Sequence, residues 1–114
     1  MRVSGTDMTM TRGHTEVVII SLKNEDGSAF VLEEGDTLYF TVKTNVNTAA
    51  KALQKVITAF GDDYSATVRI EHADTKDLPY GRYVYDIQVT KADGTVTTVV
   101  RPSAFTLDSE VTHE

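Results

Sequence analysis

An all-β fold is what this sequence predicts, on three observations. Several stretches alternate apolar and polar residues with a period of two, Arg82 to Thr90 most cleanly. These stretches are short and are separated by turn chemistry, as at Asn24-Glu25-Asp26-Gly27-Ser28, Glu33-Glu34-Gly35-Asp36, Gly61-Asp62-Asp63 and Ala92-Asp93-Gly94. β-Branched and aromatic residues fill the stretches themselves. About seven short strands joined by turns, with one helical turn, make an immunoglobulin-like antiparallel β-sandwich.

Taken in order, positions 1–6 read as a loose arm. Asp7 to Thr11 is a short strand with Met8 and Met10 on one side. Arg12-Gly13 turns the chain. Thr15 to Lys23 is apolar on both faces through Val17 to Ile20, the pattern of a central strand. Phe30, Val31 and Leu32 tuck back toward the core. In Thr37 to Thr44, Leu38, Phe40 and Val42 share a face against Tyr39, Thr41 and Lys43. Asn45 to Ala50 is polar and small, a loop.

Lys51 to Phe60 fits both periods. Leu53, Val56, Ile57 and Phe60 match a helical stripe, while the neighbouring strands favour β. Ser65 to Glu71 places Ala66, Val68 and Ile70 inward. Asp74 to Leu78 reads as one helical turn with Asp74 as its N-cap. The chain then enters the strand Arg82 to Thr90, with Tyr83, Tyr85, Ile87 and Val89 on one face. Asp93-Gly94 supplies the positive φ of a tight hairpin. Thr95 to Val100 returns antiparallel, the strand breaks at Pro102 or bends there to an edge, and Ala104 to Leu107 resumes the pattern as a short third strand. Tyr83 is the candidate corner tyrosine of such a sandwich, with Tyr80 second. Positions 109–114 read as a frayed tail. The expectation is one domain over 1–114 with loose termini at 1–6 and 109–114.

The bulk properties narrow the function classes. The net charge is −6 with a pI near 4.9, and the 11 Lys and Arg form no basic stripe, so no nucleic-acid partner is expected. No apolar run approaches the roughly 20 residues of a membrane span, and no membrane partner is expected. The N-terminus lacks the apolar middle of a signal peptide. Cysteine is absent, which excludes disulfides and thiolate metal sites.

Side chains that could carry chemistry do not gather into a motif. His14, His72 and His113 share no ligand spacing, and a zinc site needs three or four converging ligands. Asp62-Asp63, Asp74 with Asp77, and Asn24 to Gly27 lack the spacing of a calcium loop, and turn chemistry accounts for each. Ser103 sits in a bend without a nucleophile elbow. Asp86 lies mid-strand, where an exposed pairing with Arg82 or Arg101 is the plain expectation. Neither catalytic residues nor a metal or cofactor site is assigned, and no enzyme activity is expected. A sugar-binding face would need two or more exposed rings in one patch, with Tyr39, Tyr64 and Tyr80 as its candidates.

Beyond Asp74 the chain carries a Leu78-Pro79-Tyr80-Gly81 turn and a Tyr83-Val84-Tyr85-Asp86-Ile87-Gln88 strand. An Asp93-Gly94-Thr95-Val96 hairpin and Pro102-Ser103-Ala104-Phe105-Thr106 follow. Glu34 to Val42 and Gln54 to Thr58 accompany them. On these residues, which cover most of the chain from about Thr15, it resembles small phage and prophage proteins of Gram-positive bacteria. It is also similar to the N-terminal β-sandwich domain of phage baseplate upper proteins. The resemblance implies a non-enzymatic tail or baseplate structural component, located in the virion or in the bacterial host cytoplasm during assembly. It carries no catalytic residues over. Arg101 stands where the resembling pattern has an apolar residue, so this bend is expected to face solvent or a partner.

The favoured function is therefore a virion structural or assembly module acting by protein–protein binding. Its expected partners are other phage structural proteins, with a homo-oligomer as a further option. Val31, Leu32, Val99, Val100, Arg101 and Pro102 are the candidate partner-binding residues, since strand edges offer unpaired backbone groups. A carbohydrate- or host-surface-binding sandwich is the alternative.

Overall fold

The computed structural model describes residues 2–4 as backbone and residues 6–24, 26–48 and 50–109 in full. The strands are β1 (Arg2–Ser4), β2 (Asp7–Thr11), β3 (Glu16–Ile20), β4 (Thr37–Lys43), β5 (Leu53–Ile57), β6 (Ala66–Ile70), β7 (Gly81–Thr90) and β8 (Val96–Asp108). Among the described residues a single short helix, α1 (His72–Thr75), joins β6 to β7. Six strands form a large sheet in the order β1-β2-β8-β7-β4-β5, and β3 and β6 form a small one. The fold is an all-β sandwich of one large and one small sheet.

The alternating strands build the core because their inward faces meet. Leu38, Phe40 and Val42 of β4, and Tyr83, Tyr85, Ile87 and Val89 of β7, come from the large sheet. Val18 and Ile20 of β3, and Ala66, Val68 and Ile70 of β6, come from the small sheet and close over them. At the centre the Phe40 and Tyr85 rings stack at 5.2 Å, and Phe105 meets both edge-on at 6.2 and 6.3 Å. Offset and edge-to-face arrangements suit the ring quadrupoles.

Several elements differ from expectation. β1 pairs antiparallel with β2, so positions 2–4 are not a loose arm. β2 runs parallel to β8, Met8 opposite Phe105 and Met10 opposite Leu107, while every other strand pair is antiparallel. A parallel neighbour leaves no local signature when its partner lies at the other end of the chain.

Residues 96–108 form one bulged strand, so of the two expectations at Pro102 the bend holds and the break into a separate third strand does not. The bulges absorb the residue that cannot donate. Lys51 to Phe60 resolves as strand over Leu53–Ile57. The helix starts earlier than expected, and Asp74 is its N3 residue instead of its N-cap. Asp74 Oδ2 accepts the Glu71 N–H at 2.7 Å, the returning half of a capping box. The central-strand reading of Val17 to Ile20 fails. β3 has β6 on one side only among the described residues, and Val17 and Ile19 are 50% and 68% exposed. The expected tail at 109–114 lies outside the described residues apart from Ser109.

Candidate interaction surface on the large sheet

The outer face of the large sheet is not covered by any described element. Its rungs follow from the strand registers. Tyr39 lies between Gln88 and Val56, Thr41 between Asp86 and Gln54, and Lys43 opposite Val84. Gln54 Nε2 donates to Thr41 Oγ1 at 3.0 Å, which holds two rungs of this face together.

The middle of the face is shaped by a break in β8. Tyr85 pairs with Ser103 and Ile87 with Val100, so Asp86 alone on β7 opposes Arg101 and Pro102 on β8. A second slip, between the Ile87 and Gln88 rungs, leaves Val99 as an extra residue. Two residues against one is a β-bulge, which bends the strand and re-aims its side chains. Pro102 occupies a position where no ladder N–H is needed.

Beside this bulge lies a shallow trough with two lobes. A small lobe of about 80 Å³ is bounded by Thr41, Lys43, Val46, Val84, Asp86 and Pro102. A wider lobe of about 390 Å³ runs on past Tyr39, Gln54, Gln88, Thr90 and Val96. Thr41, Lys43 and Asp86 border both lobes. The Asp86 carboxylate makes no ion pair with Arg82 or Arg101, contrary to the sequence expectation; no described residue bridges it. An acid and a base at the middle, with apolar Val46, Val84 and Pro102 at one end, suit a polypeptide partner with mixed polarity.

The sequence candidates fall into two groups. Pro102 is exposed and lines the trough, Arg101 is exposed next to it in the bulge, and Val99 and Val100 are half-buried beside them, packed on the core. Val31 is 38% exposed but lies elsewhere, in the loop before β4, and its carbonyl accepts Lys91 Nζ at 2.9 Å. Leu32 is a core residue at 3% exposure and is removed from the candidate surface. Its neighbour Val31 takes the outward position, so the pair splits between core and solvent. Lys43, Val46 and Gln88 were not singled out from the sequence. Polar alternation on β4 and β7 marked Lys43 and Gln88 as outward, and Val46 fell in a run that reads as a loop, but nothing local marked a depression.

The Tyr83 hydroxyl donates to Pro79 O, four residues back, at 2.8 Å. That is the hydrogen bond of a tyrosine corner, at the turn between the two sheets. Tyr80 is exposed and lies under the Arg12 guanidinium, 3.8 Å from ring centroid to carbon, with its hydroxyl accepting Arg12 Nη2 at 2.8 Å. The three sugar-platform candidates do not share a patch. Tyr39 sits opposite Gln88 while Tyr80 precedes the start of β7, about 25 Å away at strand spacing. Tyr64 lies in the Gly61–Ser65 turn, at the opposite end of β6 from α1.

The remaining titratable candidates have structural partners. Asp26 and Asp63 each accept the backbone N–H and hydroxyl of the serine two residues on, and these bonds lower their pKa values. Burial pushes the Asp74 carboxyl up, but the Lys55 ammonium at 2.6 Å and the Glu71 N–H outweigh it, and the net shift is downward. His72 Nδ1 lies 2.5 Å from Gly13 O. Among the described residues no three metal-ligating side chains converge. His113 lies outside the described residues, as does Glu25 of the Asn24 to Gly27 turn. No described helix is long and apolar enough to cross a membrane.

Compared with protein-family models and with curated proteins, the chain matches none.

Proposed function

We propose that this chain is a non-enzymatic structural or assembly module of a phage virion, associated with the tail or baseplate, that binds other phage structural proteins. The phage assignment rests on the sequence resemblance set out above. The observation that supports a binding role is the trough at the β7–β8 bulge, lined by Lys43, Val84, Asp86 and Pro102, with Arg101 exposed in the bulge beside it. Upstream of Ala104, β8 has β7 on one side and no described strand on the other. The bulges and Pro102 make that edge a poor template for indiscriminate strand pairing. A partner is selected there by side chains, with the central acid and base setting register and the apolar end giving contact area.

The test is binding of the purified chain to the tail and baseplate proteins encoded by the same phage, measured by biolayer interferometry. Asp86→Lys and Arg101→Glu alter surface charges outside the core. Each is expected to weaken the bound pair by about tenfold, equivalent to about 1.4 kcal/mol. Affinities unchanged in both variants would remove the trough from the interface. No binding to any virion protein would remove the assignment itself.

A further inference from the structure

We propose that β3 is a self-association edge: it pairs antiparallel with β3 of a second copy of this chain, joining two small sheets into one of four strands. The inference concerns a different surface from the trough and stands apart from the virion assignment.

The strand edges that no other described strand covers are not alike. β5 carries Lys55, which is tied to Asp74, and Lys51 precedes it. The free part of β8 is bulged and contains Pro102. β6 carries the exposed ion pair of Arg69 with Glu71 at its end. β1 has three residues. Each has one of the features by which sheets discourage strand addition: charge, proline, a bulge or shortness.

β3 carries one charge, Glu16 at its start, and none of these features over Val17-Val18-Ile19-Ile20. Its ladder with β6 is regular from Glu16 opposite Ile70 to Ile20 opposite Ala66. All four of those residues are β-branched, which suits a strand, and no Gly or Pro interrupts them. Val17 and Ile19 point away from the core and are half or more exposed.

The occupant follows from symmetry, charge and area. Antiparallel pairing of two copies about Val18 sets Val17 against Ile19 of the other copy, twice over, and Glu16 against Ile20. Aliphatic side chains then meet aliphatic side chains across the seam, and like charges do not oppose one another. The outer face of the small sheet spans two five-residue strands, a patch of about 170 Å² at strand dimensions. That is far below the roughly 800 Å² per partner of a stable interface, so packing the small sheets back to back is insufficient. Edge pairing adds ladder hydrogen bonds and also extends a sheet that has only two strands, the weakest arrangement a sheet can have. The short seam makes the dimer concentration-dependent. The charge of −6 on each copy opposes association, so added salt strengthens it.

Sedimentation velocity on the full chain tests this between about 10 μM and about 1 mM, a span that covers weak dimers. Wild type is expected to shift from monomer to dimer across the range, and to do so at lower concentration when salt is raised. Ile19→Lys and Val17→Lys are expected to stay monomeric. Ile19→Thr, which keeps a β-branched side chain, is expected to dimerise more weakly than wild type. Val96→Lys replaces an equally exposed aliphatic residue on the hairpin and is expected to dimerise normally. A wild type that remains monomeric throughout, or a dimer that survives Ile19→Lys, overturns the proposal. Neither outcome bears on binding at the trough.

Discussion

Asp36 lies at 2% exposure between the loop before β4 and the base of the β7–β8 hairpin. Its carboxylate accepts Lys91 Nζ at 2.5 Å and the N–H groups of Ala92 and Glu33 at 3.0 and 2.9 Å. The Lys91 hydrogen bond above all, with the two backbone donors, holds its pKa below the ordinary 3.8. A depressed native pKa contributes stability that is complete above the unfolded value and lost as the pH falls through the native one. Asp36→Asn is therefore expected to lose less stability than wild type on acidification below about pH 4. Asp36→Ala is expected to cost about 1–3 kcal/mol at pH 7 in urea unfolding, because it removes the acceptor of three part-buried hydrogen bonds, one of them from a charged donor.

Tyr85 gives the opposite sign. Burial first and the nearby Asp7 charge second raise its phenol to about 12, and its hydroxyl donates to Thr6 O. Its contribution is complete below pH 10 and drains away between 10 and about 12. Tyr85→Phe is expected to flatten the stability profile across that alkaline interval. Neither role was legible in the sequence. Asp36 sits in a run that reads as an ordinary turn, and its partner Lys91 is 55 positions away.

At the scale of elements, period-two patterning carried β4, β6 and β7 with the correct inward faces, because each buries one face and wets the other. β3 departed from that rule. Apolar residues on both faces normally report burial on both sides, but here Val17 and Ile19 remain open, on the strand whose edge is proposed to pair with a second copy. The bulge in β8 was legible only as a proline that interrupts a strand. Which residue it would set against Asp86 depends on the register with β7, and a sequence does not display register.

The helix between the sheets shows how a small element is held. Gly13 N–H donates to Thr75 Oγ1 at 2.8 Å, and Thr75 is fully buried. This bond and the His72–Gly13 contact tie the turn between β2 and β3 to the corner that Tyr83 closes. Thr75→Val keeps the shape and deletes the acceptor. It is expected to lower the thermal midpoint by an amount equivalent to about 1–3 kcal/mol, the penalty for an unsatisfied buried N–H.

For the whole molecule, the decisive feature is that both ends of the described chain meet in one sheet. β2 lies beside the last residues of β8, and Met8 and Met10 complete the core against that end of the sandwich. The sequence could show that Met8 and Met10 share a side. It could not show that their neighbour is Phe105 to Asp108, because the ends of the chain are joined by nothing local. Closing so long a loop costs entropy before its contacts return anything, so β2 is expected to dock after the β4–β7–β8 meander has formed. Met10→Ala, at a residue 2% exposed, then has a characteristic kinetic signature. It should destabilise by about 2–5 kcal/mol. Stopped-flow chevrons should place nearly all of that loss in faster unfolding, with the refolding rate unchanged, because contacts absent from the transition state slow nothing when removed. Refolding slowed in proportion to the lost stability would mean instead that the two ends of the chain meet early, and that β2 belongs to the folding nucleus.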